Sequence, residues 1–446
     1  MKMKGVWVNN LSKATLWLAL GSGVSQGLLL IMFLWAAQKL EPEMVGRLGF
    51  LYQTYWTFSM LFASSFGSTT TRVIAEKKVK EPHLLLNYTF MHLLIGACVS
   101  GAVALIIGFN APFLSIWWFQ SDKHQYDIIW LAVALFGNGI LTILFSALSG
   151  LKQYSLLSLM NISRGVFTVI FMTWGLLFEN ITEAMKGLSL ATFVTILLIL
   201  SIISAFSNLR DFSLRRFWIR SHYSELLTLI VPLLISSVIG TGSLWTGLNI
   251  IMRQPDGVAQ MALLTVALQW RSLLLFLPTT INQAALPFLI ELWTRGDMKA
   301  FSLRLRTSCR WAGLLTILPI PIIIAIHGWI APNLSSWYAL SVILTVLIAT
   351  IFSALSAQVG NALIGMGRAW IGLQKNAFWA LIFLGILALP ISGALRFGMA
   401  LLISYAILWW SIRTYVQNQI CRRSINQHNC VTKTMEESYE PTMGSS

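Results

Sequence analysis

The sequence predicts an all-α polytopic membrane protein of about twelve transmembrane helices, in two six-helix lobes related by a pseudo-two-fold axis along the membrane normal. Three observations predict it. First, 56% of the 446 residues are hydrophobic and 11% are charged, whereas roughly a quarter are charged in a soluble protein. Second, apolar runs of about 20 residues, enough to cross a ~30 Å hydrocarbon core, recur near 14–37, 46–66, 84–109, 127–149, 155–178, 187–207, 225–251, 259–290, 309–331, 335–360, 374–394 and 397–416. Third, two short patterns repeat at nearly one offset. Glu41-Pro42-Glu43-Met44-Val45-Gly46 returns as Gln254-Pro255-Asp256-Gly257-Val258-Ala259, and Ala147-Leu148-Ser149-Gly150 returns as Ala362-Leu363-Ile364-Gly365. Each half holds an even number of spans, so the halves share orientation. The expected organisation is an N-terminal lobe over 1–208, a cytoplasmic connection over 209–224, a second lobe over 225–417 and a polar, mobile cytoplasmic tail over 418–446, to which no role is assigned.

The chain starts with Lys2, Lys4 and Lys13, then an apolar run from Leu16 to Ala37. That run is too long for a signal-peptide core and lacks a cleavage site, so it is expected to remain as the first helix. Gly23 and Gly27 give it small-xxx-small spacing, which in lipid marks close helix packing or a point of bending. Pro42 opens the second segment between two acids that complement a helix start. An acid pair in an early external loop also fits the base or metal ligand of a membrane glycosyltransferase. The matching Gln254-Pro255-Asp256 makes a repeated helix start the better explanation. Arg47, just inside this segment, is either an interfacial anchor or part of a cavity mouth. His92 in the third segment is expected to be a hydrogen-bonded structural histidine rather than a proton carrier.

Asn161, Arg164 and Thr168 share one face of the fifth segment. Arg164 lies about 14 Å deep, so it either lines a polar cavity or snorkels back to the interface. In the eighth segment Arg271 lies near mid-membrane, and the spacing of 271, 275, 278 and 282 puts Arg271, Pro278 and Asn282 in one stripe. The stripe is either a cavity wall or a polar lock within the bundle. No spanning segment carries an acid at its middle: the acids fall at segment ends, in loops or in the tail. A site for cationic substrates, or an acid-based proton relay, needs an intramembrane carboxylate. Arginines without carboxylates suit an anion instead, because a guanidinium grips phosphate in a bidentate fork and never deprotonates.

The net charge of +15 does not indicate nucleic acid, because Lys and Arg gather in alternate loops as membrane topology requires. One set holds only Lys39, Arg47, Lys123, Lys186, Arg253 and Arg396. The positive-inside rule therefore puts both termini in the cytoplasm. The four cysteines form no framework and are expected as free thiols; no CxxC or HExxH spacing appears, and neither a metal nor a cofactor is expected. Connecting loops of at most about 20 residues leave no room for a soluble catalytic domain.

The two-lobed pattern, the Gly/Ser-rich first helix, the phrase around Trp270-Arg271, Pro278, Asn282 and Pro287, and Ala362-Leu363-Ile364-Gly365-Met366-Gly367-Arg368 together resemble bacterial polysaccharide flippases. Those belong to the superfamily of multidrug, oligosaccharidyl-lipid and polysaccharide exporters. The resemblance implies a non-enzymatic flippase of the bacterial inner membrane. Its substrate would be an undecaprenyl-pyrophosphate-linked oligosaccharide, such as an O-antigen unit of lipopolysaccharide, moved from the cytoplasmic to the periplasmic leaflet by alternating access. Arg271 is the position the resemblance carries over for pyrophosphate; Arg164 and Arg47, with the neighbouring Asn161 and Asn282, complete the expected substrate-binding set. Trp270 and Tyr52 are candidate sugar platforms, although lipid-facing packing is the commoner fate of such rings. Implied partners are the lipid-linked glycan, membrane lipid, and the polymerase and chain-length machinery of the same pathway. The alternatives are a multidrug exporter of the same fold, disfavoured by the missing carboxylates, and a membrane glycosyltransferase or O-antigen polymerase, disfavoured by the short loops.

Overall fold

A computed structural model describes residues 2–81, 84–206, 220–330, 336–366, 368–389 and 393–437, and among them every regular element is a helix. Helix α1 (Lys2–Lys39) turns through Leu40 and Glu41 into α2 (Pro42–Phe62), and a π-helical turn at Ala63–Gly67 carries α2 on into α3 (Ser68–Lys80). Then follow α4 (Leu85–Phe109), the short α5 (Ala111–Phe119), α6 (Gln125–Gly150), α7 (Tyr154–Leu177) and α8 (Ile181–Phe206). The second half comprises α9 (Arg220–Met252), α10 (Gly257–Arg295), α11 (Met298–Ile317), α12 (Pro319–Ile330), α13 (Trp337–Gly365), α14 (Ala369–Leu387) and α15 (Gly393–Glu437). Pro319, which has no N–H to donate, divides α11 from α12, and the two form one rod.

Counting that rod once and setting aside α3 and α5, the described residues form twelve rods, one for each of the twelve expected spans. Among the described residues, eleven of these are long and apolar enough to cross a membrane. The twelfth, α2, is less apolar because it faces protein: Gln53, Thr54 and Ser59 are all buried. Polar side chains at membrane depth are tolerated where they point into the bundle.

Three expectations need correction. Residues 418–437 are not a loose tail, since α15 continues through Glu437 and Arg423 stacks 4.2 Å above the Trp293 ring. The basic residues Lys299, Arg304 and Arg306, expected in the connection between the spans at 259–290 and 309–331, sit on α11; Asp297 caps that helix by accepting a 2.9 Å bond from the Ala300 amide. The third correction concerns the glycines of α1. A β-carbon on Gly21 would meet Ser158 of α7 at 2.7 Å, and one on Gly23 would meet Phe276 of α10 at 3.0 Å, while Gly27 faces open space. Close packing therefore runs through Gly21 and Gly23. The expected connection at 209–224 lies outside the described residues as far as 219, and its last five residues begin α9.

The packing falls into two groups. In the first, α7 packs on α1 and α8, and α6 on α4 and α8; in the second, α13 packs on α10, α11 and α15, and α14 on α9 and α15. The seam between them is built mainly from α1 against α10, α9 against α2, and α2 against α10. Exchanging α1 with α9 and α2 with α10 maps the first two pairs onto each other, the relation expected of parallel repeats. On the face where α2 and α10 begin, here the Pro42 face, the seam is shut. A β-carbon on Gly46 would lie 1.9 Å from the Val258 carbonyl oxygen, and one on Gly49 would lie 2.0 Å from Thr265 Oγ1. Only glycine permits so close a backbone approach. The two stretches that repeat in the sequence meet each other here.

Candidate functional site

Each packing group holds one deep arginine, and the two lie in different surroundings. Arg164 is ten residues into α7, about 15 Å along its axis. Its Nη2 donates to Tyr55 Oη at 3.1 Å and to Asn138 Oδ1 at 3.3 Å, and Tyr55 Oη in turn donates to Asn138 Oδ1 at 3.1 Å. Asn161 and Thr168 share the same cavity, about 120 Å³ in volume and walled by α1, α2, α7 and α8. The face expected from their spacing is therefore assembled. Tyr55 and Asn138 escaped the sequence analysis, though Gly137-Asn138-Gly139 is a polar interruption in an otherwise apolar run.

Arg271 is fourteen residues into α10, about 21 Å along it. Its Nη2 donates to Ser353 Oγ of α13 at 3.3 Å and to Tyr405 Oη of α15 at 3.5 Å, and the guanidinium lies 5.7 Å from the centre of the Tyr405 ring. The buried Nε has no partner. Further along the stripe, Gln358 of α13 donates to the Pro278 carbonyl at 3.0 Å and Asn361 donates to the Asn282 carbonyl at 2.7 Å, while Asn282 Oδ1 is buried without a partner. The stripe thus faces α13 and α15. Through their backbone carbonyls Pro278 and Asn282 form a polar lock with α13, and Arg271 is left with long, weak bonds to neutral hydroxyls.

Among the described residues, neither deep arginine has a carboxylate within 4 Å. Arg47 does: it pairs with Glu43 one turn earlier, at the Pro42 face. Trp270 and Tyr52 are buried in the core. His92 is buried with its Nδ1 2.9 Å from Thr70 Oγ1, as a structural histidine requires. Cys98, Cys309 and Cys421 are free thiols.

A sequence profile described as "Polysaccharide biosynthesis protein" matches residues 11–293. The chain belongs to that family. Its relatives include the "EPS I polysaccharide export inner membrane protein EpsE" of Ralstonia solanacearum, 22% identical over 88% of this chain and 90% of the relative. The protein of the same description from Ralstonia nicotianae (strain ATCC BAA-1114 / GMI1000) is 25% identical over 186 residues, and there the match spans 40% of this chain and 42% of the relative. Solved structures share the fold. A structure described as the inward-facing conformation of a multidrug resistance MATE family transporter of the MOP superfamily superposes with a TM-score of 0.70 at 14% identity, covering 91% of this chain and 95% of that one. Its outward-facing counterpart gives 0.66 at 14% identity, over 93% and 97%. A Pyrococcus furiosus MOP superfamily transporter, whose description cites a binding pocket of reverse polarity, gives 0.67 at 13% identity, over 91% and 96%. This member of the family is a multispan membrane protein with a MATE-like fold.

Proposed function

We propose that the protein is a flippase carrying an undecaprenyl-pyrophosphate-linked oligosaccharide from the cytoplasmic to the periplasmic leaflet of the inner membrane. One observation carries this reading: Arg271, deep in α10, holds its charge against two neutral hydroxyls at 3.3 and 3.5 Å and leaves a buried Nε unpaired. A permanent cation so placed is a receptor for phosphate oxygens. The glycan needs a wet path between the lobes, and the isoprenoid tail stays in lipid. Arg271 and Asn282 are assigned to the head group. Arg47, already neutralised by Glu43, is assigned to the cavity mouth rather than to the pyrophosphate. The polysaccharide-export description of the EpsE relatives supports the substrate class.

In cells deleted for the protein, the lipid-linked unit should accumulate complete on the cytoplasmic leaflet. A truncated unit, or an unpolymerised one in the periplasm, would identify a transferase or a polymerase instead. The fold is shared with multidrug transporters, but a cationic drug would meet two deep arginines and no carboxylate within 4 Å of either among the described residues.

The same reading puts both termini in the cytoplasm and the Pro42 face in the periplasm. Single cysteines near Lys123 and Arg253 should then react with an impermeant reagent added to cells whose outer membrane has been opened. Cysteines near Arg216 and Arg304 should react only after the inner membrane is also breached. The reverse pattern would invert the topology.

A further inference from the structure

We propose that the cavity around Arg164 is a binding site for one small inorganic anion of chloride size, separate from the path of the transported head group. The first argument is volume. At about 120 Å³, the cavity falls well below the roughly 300–1,000 Å³ of sites that hold drug-sized ligands. A pyrophosphate bearing several sugars does not fit, whereas a halide with a few waters does.

The second argument is charge. Arg164 cannot neutralise itself by losing a proton. Among the described residues no carboxylate lies within 4 Å of it, and its hydrogen bonds to Tyr55 and Asn138 both leave from Nη2. Neutral oxygens orient a guanidinium, but they do not cancel its charge at membrane depth.

The third argument is the lining. Ser22, Ser25 and Thr168 bring hydroxyls, and Asn161 and Gln26 bring amides. Each has an O–H or N–H to donate, and donors grouped beside a fixed cation form an anion receptor.

Position gives the site its consequence. Its walls include α1 and α2, the two helices that meet α9 and α10 at the seam. An ion bridging Arg164 of α7 to α1 and α2 therefore ties one lobe's interior to the contacts that separate when the seam opens. A ligand that binds one arrangement better than another shifts the balance between them.

The test is thermal unfolding of the full-length protein purified in detergent, with sodium gluconate exchanged for sodium chloride or bromide at constant ionic strength. Ligand linkage should raise the midpoint by about 2 °C or more at saturating halide. Arg164→Gln should abolish the rise and Arg271→Gln should keep it. Thr168→Val retains the charge while removing one hydroxyl, and it should shift the halide dependence at least about threefold towards higher concentration, which guards against poor folding of Arg164→Gln. Crystals grown in bromide should show an anomalous peak inside the cavity. The proposal is overturned by a wild-type midpoint indifferent to halide, by an unchanged rise in Arg164→Gln, or by phosphate or pyrophosphate replacing chloride at equal concentration. The last outcome would return the cavity to the head group. None of these outcomes overturns the flippase reading, which is tested separately through Arg271 and export.

Discussion

Replacing Arg271 with alanine should abolish surface polysaccharide in a strain lacking its own exporter, with the variant present in the membrane at the wild-type level. Hydrogen bonds to charged groups contribute about 1.5–3 kcal/mol each. Losing a bidentate pair to phosphate therefore corresponds to a fall of at least about 100-fold in head-group affinity. Arg271→Lys should retain part of the export, because the charge survives while the planar fork is lost. Tyr405→Phe removes only the hydroxyl that accepts from Arg271 at 3.5 Å and keeps the ring beside the guanidinium. It should reduce export by a few-fold. Full export by Arg271→Ala would remove the basis for the anionic substrate.

The second large effect is expected at the seam. Gly46→Ala sets a methyl group 1.9 Å from the Val258 carbonyl oxygen, where real contacts essentially never fall below 3.0 Å. The obstacle is backbone, which cannot rotate aside, so α2 and α10 must separate at the Pro42 face. Because packed interfaces switch between discrete arrangements, the expected result is a population shifted towards opening on that face. Cysteine probes inside the seam should react several-fold faster from the Pro42 side, and export should fall. The opposite manipulation is a bifunctional cross-link between cysteines at Met44 and Val258. It should hold the seam shut, stop export and leave the complete lipid-linked unit on the far leaflet. Unchanged probe reactivity in Gly46→Ala together with normal export after cross-linking would show that this contact is not a gate.

The fold was legible because hydrocarbon acts as a harsh solvent. Lipid-facing segments must be apolar and about 20 residues long, so α4, α6 and α13 stand out in composition alone. The repeat around Pro42 and Pro255 correctly marked two equivalent helix starts. Legibility was lost where a helix contacts protein instead of lipid. α2 is only moderately apolar because Gln53, Thr54 and Ser59 point inward, and the helical extensions α3 and 418–437 are polar stretches whose form hydropathy does not determine. At the candidate site, helical spacing grouped Asn161, Arg164 and Thr168 correctly. The braces on both arginines come from helices distant in sequence: Asn138 lies 26 residues before Arg164, and Tyr405 lies 134 residues after Arg271. Periodicity within one helix carries no information about such partners. The direction of the Arg271 stripe, towards α13, likewise depends on tertiary packing.

The burial of α2 also governs how the chain is made. Membrane insertion during synthesis selects segments by apolarity, and α2 enters with polar side chains whose permanent neighbours have not yet been translated. Thr54 accepts its 3.2 Å hydrogen bond from the Trp245 indole on α9, and the space against Gly46 and Gly49 is filled by α10. Until the ribosome has delivered some 200 further residues, this helix depends on α1, to which a two-residue turn binds it, and on α6 once that follows. The first half of the molecule is therefore assembled early but sealed late, with its polar seam left without its final neighbours until α9 and α10 arrive.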